Sequence, residues 1–198
     1  MSKKFFQPVR MESQFVDSKL HGVIFQSSGA NAAVDDGAFV VLGDFVNEPV
    51  YSWAFTKAAG STTNILDFNT RYAAAPGAVT GIKEACVIDL AEVPTATNGD
   101  LVYRIGVRTI GLTNAAGNVS RARKLVVDDV FKTGSENASA ELTVGQYATF
   151  TANSTILTPS TDASEVTAGL YFKVINKETI SQGVNANVTA YTLLVMSK

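Results

Sequence analysis

The sequence is poor in the side chains that most often build a catalytic or metal centre. Its 198 residues include one histidine, one cysteine and one tryptophan. A zinc site of Cys and His ligands needs several such residues, and a disulfide within the chain needs two cysteines, so the sequence excludes both. Cys86 lies in the apolar run Ala85-Cys86-Val87-Ile88, which predicts a buried, unreactive thiol. We expect no cofactor and no metal ion.

Charged residues and long hydrophobic runs are also scarce. Charged residues make up 17% of the chain and its formal net charge is −2, whereas a nucleic-acid-binding protein needs a basic surface against the phosphates. The longest apolar runs reach only about five residues, against the 18 or more that a membrane-spanning helix requires, and the basic N-terminus is not followed by the apolar segment of a signal peptide. We therefore expect neither nucleic acid nor a membrane as a partner.

Small, β-branched and turn-forming residues are abundant instead. The chain contains 25 alanines, 23 valines and 20 threonines, together with 15 glycines, and this composition favours strands and turns over helices. Turn signals recur about every 10 to 20 residues, with runs of strand length between them. The rhythm predicts an all-β fold, either a small β-sandwich or a β-barrel, with an extended N-terminal arm.

Apolar or alternating runs bounded by turn residues mark the individual strands. They predict strands at residues 22–26, 38–42, 50–55, 101–110, 119–127, 145–151, 170–175 and 191–196. Residues 81–93 fit a helical stripe as well as a buried strand, and we interpret them as a strand. Residues 60–80 and 159–162 are predicted to be loops, and Asn98-Gly99-Asp100 a hairpin turn.

Residues 1–22 differ in composition from the rest and predict the arm. Apolar and charged side chains alternate there, and Pro8 opposes a helix. Burial of each exposed apolar side chain would gain about 1.5–3 kcal/mol, so we expect the arm to pack onto its own domain or onto a neighbouring subunit. Residues 23–198 then form the β-rich domain, with an internal boundary near 131–140. His21, at the junction, is predicted to be a surface or hinge residue.

Two acidic pairs, Asp35-Asp36 and Asp128-Asp129, lie at predicted turns. Adjacent strand residues point to opposite faces, so neither pair forms a glycosidase dyad by itself. Turn capping is the simpler interpretation.

The densest basic cluster lies on two predicted strands and consists of Arg104, Arg108, Arg121, Arg123 and Lys124. If those strands pair, the arginines gather on one surface. Two interpretations stay open, namely arginines that solvate an outer sheet face and a docking surface for acidic side chains of a partner protein.

Several segments, taken in order, resemble a group of tailed-bacteriophage structural proteins that are encoded among the head genes. The resemblance is carried by residues 35–44, 67–71 with the Ala-Pro loop that follows, 81–82, 101–106, 121–131 and 144–148. It implies a capsid decoration, or auxiliary head, protein, which is a structural and non-enzymatic component of the virion. Such a protein would be made in the host bacterial cytoplasm and would bind the outer surface of the assembled capsid. Its partners would be the major capsid protein and further copies of itself, with a trimer favoured.

The resemblance and the sequence pattern together assign contacts to the arm and to the basic strands. The residues assigned to capsid or subunit binding are Lys3, Lys4, Phe5, Phe6, Val9, Arg10, Phe15, Arg104, Arg108, Arg121 and Arg123. On this interpretation, deleting residues 2–12 abolishes binding to the shell and leaves the monomer folded.

Two further classes of function are compatible with the sequence. A carbohydrate-binding head fibre or adhesin would use Trp53, Tyr51, Tyr72 or Tyr147 as stacking platforms for sugars. A depolymerase would need two carboxylates about 5–9.5 Å apart in a cleft, and no motif in the sequence indicates such a pair.

Overall fold

The computed structural model describes residues 4–46, 67–90, 112–162, 168–182 and 186–198. Within these ranges the chain consists of strands and three short 3-10 turns, with no α-helix, which confirms the all-β prediction. The strands are β1 (Phe6–Arg10), β2 (Leu20–Ser27), β3 (Ala30–Asn31), β4 (Val34–Asp35), β5 (Phe39–Val46), β6 (Asp67–Ala74), β7 (Cys86–Ile88), β8 (Thr113–Asn114), β9 (Ser120–Lys124), β10 (Val130–Gly134), β11 (Tyr147–Phe150), β12 (Leu157–Ser160), β13 (Leu170–Gln182) and β14 (Ala186–Ser197). The 3-10 turns are Glu12–Gln14, Asp17–Lys19 and Ser135–Asn137.

Five of the strands close into a small barrel. Strand β2 pairs in parallel with β6 and antiparallel with β9, while β5 pairs with β6 and β7, and β7 pairs with β9. The pairings return to β2, so these five strands share one continuous ladder. A five-stranded barrel is narrow, and its interior accordingly includes the small side chains of Ala73, Cys86 and Ala122 among valines and an isoleucine.

A second sheet, of six strands, is open and has the order β1-β10-β14-β13-β11-β12. Every neighbouring pair in it is antiparallel. One face of this open sheet packs against the outside of the barrel. Phe39 of β5 contacts three sheet residues, with ring centroids 5.4 to 6.1 Å apart. These are Phe131, Phe150 and Phe172. The main hydrophobic core therefore lies between barrel and sheet.

Most predicted strands that fall within the described residues are present. The ambiguous segment 81–93 contains strand β7, as we interpreted it, and the segment 119–127 contains β9, which ends before Asp128-Asp129. The predicted strands at 50–55 and 101–110, and the turn at 98–100, lie outside the described residues.

Two predicted loops are wrong. Residues 67–74 form β6, which lies between β2 and β5 in the barrel and is rich in alanine because its inward residues must fit the narrow interior. Residues 157–160 form β12, an edge strand of the open sheet, where Pro159 is tolerated because an edge position needs no N–H for a further neighbour. Gly43, which directly follows the predicted strand 38–42, lies within β5 at an irregularity of its pairing with β6.

The N-terminal segment is extended, but it belongs to the core of its own chain. Strand β1 pairs with β10 at the edge of the open sheet. Phe5 and Phe6 are 1% and 0% exposed, and the ring of Phe6 lies 5.5 Å from that of Phe131. The expectation that these two phenylalanines contact a capsid or a neighbouring subunit is therefore wrong. Deleting residues 2–12 would remove a paired strand and two buried aromatic side chains, so we now expect that deletion to destabilise the monomer.

Candidate functional site

Two buried carboxylates hold the N-terminal segment in place. Asp36 accepts hydrogen bonds from the backbone N–H groups of Phe6, at 3.1 Å, and of Leu90, at 2.9 Å. Asp129 accepts hydrogen bonds from the N–H groups of Glu12, at 2.8 Å, and of Val126, at 2.9 Å. The acidic pairs were predicted to cap turns. Of these four hydrogen bonds, only the one between Asp129 and Val126 closes a turn, and the other three are long-range. Desolvation raises the pKa of Asp129, although both backbone hydrogen bonds favour its carboxylate form.

Lys4 adds an ionic contact at the start of the segment. Its ammonium lies 2.7 Å from the Asp35 carboxylate, which also accepts a hydrogen bond from the Thr113 hydroxyl at 2.6 Å. Partial burial would raise the pKa of Asp35, but these two donors outweigh it and hold that pKa below its usual value. Lys4, predicted to contact a partner, is therefore engaged within its own chain, while Lys3 lies outside the described residues.

The N-terminal segment leaves apolar side chains in solvent. They lie between Phe6 and Glu12, the residues that contact the two carboxylates, and just after Glu12. Phe15 is 82% exposed and Val9 is 48% exposed. Val16 is also exposed, and so is Val127, which precedes the acidic pair. Two hydrogen bonds join the N-terminal segment to the turn that contains Val127. One runs from the N–H of Glu12 to the Asp129 carboxylate, and the other, of 3.2 Å, from the Arg10 guanidinium to the carbonyl of Asp128. We call Val9, Arg10, Phe15, Val16 and Val127 the arm surface.

The arm surface retains three of the residues predicted for binding and adds two that the sequence analysis missed. Val9, Arg10 and Phe15 were predicted, whereas Val16 and Val127 were not. The sequence carried no usable signal for Val127: it ends the run Leu125-Val126-Val127, and Leu125 is 2% exposed in the core, so the pattern indicates burial. In extended backbone two residues apart share a face, but the turn before Asp129 breaks that alternation and turns Val127 outward.

The basic cluster does not form the predicted docking surface within the described residues. Arg121 and Arg123 both reach the buried carboxylate of Asp89, at 2.7 and 2.6 Å. Arg123 is 9% exposed and also donates to the carbonyl of Ser13 at 3.2 Å, so the structure contradicts its assignment to a partner surface. Arg121 keeps a partly exposed side chain, whereas Arg104 and Arg108 lie outside the described residues.

Cys86 is buried inside the barrel, as predicted. Burial raises the pKa of its thiol to about 12, so the group stays protonated at neutral pH. Within the ranges described, no group of three or more His, Cys, Asp or Glu side chains is placed to hold a metal ion. Over the same ranges, no helix has the length and apolar character needed to cross a membrane.

The aromatic residues suggested for sugar stacking are only partly described. Tyr72 and Tyr147 are half-buried, and the ring of Tyr147 packs against that of Tyr171 with centroids 5.9 Å apart. Trp53 and Tyr51 lie outside the described residues. Part of Tyr72 and part of Tyr147 stay accessible, so their suggested stacking role remains a prediction.

Comparisons with protein-family models, characterised proteins and solved structures found no match to this chain. On the described surface, the arm surface stands out because Phe15 and its chain neighbour Val16 are both exposed just after Glu12, whose N–H is held by the Asp129 carboxylate. Grouped apolar side chains of this kind are typical of protein contacts.

Proposed function

We propose that this chain is a structural virion protein that decorates the outer surface of an assembled phage capsid, and that the arm surface makes the contact. The observation that carries the proposal is the 82% exposure of Phe15 on a segment that two buried carboxylates hold in place. An anchored segment loses little conformational entropy on docking. Its apolar side chains would then gain free energy by leaving water.

A capsid presents many copies of one binding site, which favours a small oligomeric protein that binds several of them at once. When an oligomer binds several capsid subunits at once, modest affinity at each site becomes high occupancy of the shell. The β-domain supplies a stable support, and the arm surface supplies an apolar contact with Arg10 at its margin as a charged group for orientation. Homo-oligomerisation and binding to the major capsid protein are both parts of this proposal.

Phe15→Ala is expected to weaken capsid binding about tenfold, because truncating an apolar anchor at the centre of an interface typically costs more than about 1 kcal/mol. Binding is measured by co-sedimentation of the purified protein with undecorated heads of the phage that encodes it, over a range of protein concentrations. The unfolding midpoint of the variant should match that of the unmodified protein, since the side chain is exposed.

A matched pair of valine variants distinguishes specific binding through the arm surface from non-specific hydrophobic adsorption to the capsid. Val9→Ala should also weaken binding, whereas Val144→Ala, the same truncation at a valine that is 59% exposed outside the arm surface, should leave it unchanged. Wild-type binding by Phe15→Ala would contradict the assignment of the contact to the arm surface. Failure of the unmodified protein to bind the capsid would contradict the proposed function itself.

A further inference from the structure

One end of the barrel carries a ring of side chains contributed by all five of its strands or their ends. We call this ring the barrel mouth, and it consists of His21, Leu42, Arg71, Glu84 and Lys124. Each of these residues lies two positions along the chain from a residue of the barrel interior. Because side chains alternate along a strand, all five belong to the inward-facing set. His21 was predicted to be a surface or hinge residue; it lies within the paired strand β2, which opposes a hinge, and its side chain is half-buried.

Four of the five residues of the barrel mouth, Leu42, Arg71, Glu84 and Lys124, line a small depression of about 80 Å³, whereas His21 is not part of its lining. That volume suits a small ion or a few water molecules. It is far below the roughly 300 Å³ or more of a site for a drug-sized molecule. The size of the depression therefore favours a ligand of a few atoms.

Positive charge predominates in the barrel mouth. The Arg71 guanidinium is fixed there, since its Nε donates to the Gly43 carbonyl at 2.8 Å and its Cζ lies 5.1 Å from the centroid of the Phe45 ring. The Lys124 ammonium lies 2.7 Å from Glu84, but that carboxylate is 74% exposed and neutralises only one of the two cations. Among the described residues, no carboxylate is paired with Arg71.

His21 supplies an unused hydrogen-bonding group beside these cations. Its Nε2 is buried and has no hydrogen-bond partner among the described residues. A buried polar atom without a partner is costly. Desolvation and the nearby charges of Arg71 and Lys124 lower the pKa of His21, against a smaller opposite effect of Glu84.

We propose that the barrel mouth binds one small oxyanion, a phosphate or a carboxylate, held by the Arg71 guanidinium and the Lys124 ammonium, whose charges also act on the imidazole of His21. Guanidinium and ammonium groups bind these anions by charge-assisted hydrogen bonds. This proposal is independent of the arm surface and of the capsid hypothesis. The charged or titratable groups that act on His21 are Arg71, Lys124 and Glu84, and the neighbouring Cys86 thiol stays protonated.

The proposal predicts that an anion raises the pKa of His21. A bound anion favours the imidazolium form, so by linkage the same anion binds more tightly as the pH falls through that pKa. Since His21 is the only histidine of the chain, its ring protons give a single resolved titration curve by NMR. The curve is recorded from about pH 5 to about pH 8 in chloride alone, with inorganic phosphate and with acetate, all at constant ionic strength.

A saturable shift of the His21 signal and a higher pKa of His21 with either anion support the site. The anion that binds more tightly, phosphate or acetate, identifies the ligand class. Arg71→Gln should weaken this binding about tenfold or more, because a hydrogen bond to a charged group contributes about 1.5–3 kcal/mol. Arg10→Gln, the same change at an exposed arginine outside the barrel mouth, should leave it unchanged.

Two results would overturn the proposal. One is the absence of any saturable change with either anion, and the other is an unchanged response in Arg71→Gln. If Arg71→Gln lowers the unfolding midpoint, Lys124→Gln provides the same test at the second cation. An equal response of all variants would likewise contradict the site, because the anion would then act on His21 without the two cations.

Discussion

Replacing Phe6 with alanine is expected to lower the free energy of unfolding by about 3–5 kcal/mol, the usual cost of truncating a buried phenylalanine. The side chain is 0% exposed, and its ring lies 5.5 Å from Phe131, which in turn contacts Phe39 and Phe172 at 6.1 and 6.0 Å. The cavity would open where barrel and sheet share a core. Native domains are stable by only about 5–15 kcal/mol, so urea unfolding should show a large fall in midpoint.

Phe15→Ala provides a control with the same chemical change nine residues further along. Phe15 is 82% exposed, and surface substitutions of this kind change stability by about 0.5 kcal/mol or less. Equal losses of stability in the two variants would contradict the burial of β1 in the core. A large loss for Phe6→Ala and a small one for Phe15→Ala would show that one segment combines a structural and an exposed phenylalanine.

The buried arm changes how its role in binding must be tested. A deletion of residues 2–12 would remove Phe5 and Phe6 from the core, so loss of capsid binding by that variant would report unfolding rather than a missing contact. Point substitutions on the arm surface avoid this confusion, because they leave the hydrogen bonds to Asp36 and Asp129 intact.

Local features of the fold could be predicted from the sequence when neighbouring residues decide them. The turn Asp35-Asp36-Gly37 is an example, since Gly37 adopts the positive φ of 78° that this sequence favours. The same glycine also has a long-range role that the sequence does not show. A Cβ at position 37 would lie 2.2 Å from Nδ2 of Asn137 and 2.7 Å from the carbonyl oxygen of Phe5, so the N-terminal segment passes there only because the residue is glycine.

Long-range pairing could not be predicted in the same way. The segment 67–74 has the small and polar residues of a loop, yet it becomes a barrel strand because β2 and β5 lie on either side of it. Similarly, the phenylalanines of the N-terminal segment indicated burial but not the surface that buries them. The hydrophobic gain depends on the area removed from water and is the same for a core of the same chain or of a neighbour.

The candidate site could be predicted only in part. Exposed Phe15 and buried Phe6 look alike in the sequence, and alternation cannot separate them because the 3-10 turn Glu12–Gln14 lies between.

The basic cluster was misassigned for a related reason. Arg121 and Arg123 share a face, as their spacing implies, but the buried carboxylate that meets that face comes from Asp89, more than thirty residues earlier.

Asp89→Ala is accordingly expected to destabilise the fold by about 3–5 kcal/mol, the cost of leaving a buried charge without its partner. Oδ2 of Asp89 accepts hydrogen bonds from both Arg121 and Arg123, and the Arg123 side chain is nearly buried. Arg123 also holds Ser13 of the N-terminal segment, so the loss should extend to that segment. Chemical unfolding measures the total, and hydrogen exchange of the amides near Ser13 measures the local part.

The exposed pair of Glu141 and Lys177 gives the matched comparison, since solvent screens that ion pair and Glu141→Ala should leave the unfolding midpoint nearly unchanged. A double variant, Asp89→Ala with Arg123→Met, isolates the cause of the larger loss. If an uncompensated guanidinium is responsible, removing it should restore part of the stability, because buried ion pairs can be replaced by apolar groups at little cost. A loss below about 1 kcal/mol for Asp89→Ala would instead mean that Arg123 can reach solvent, which would return it to the surface residues available to a partner.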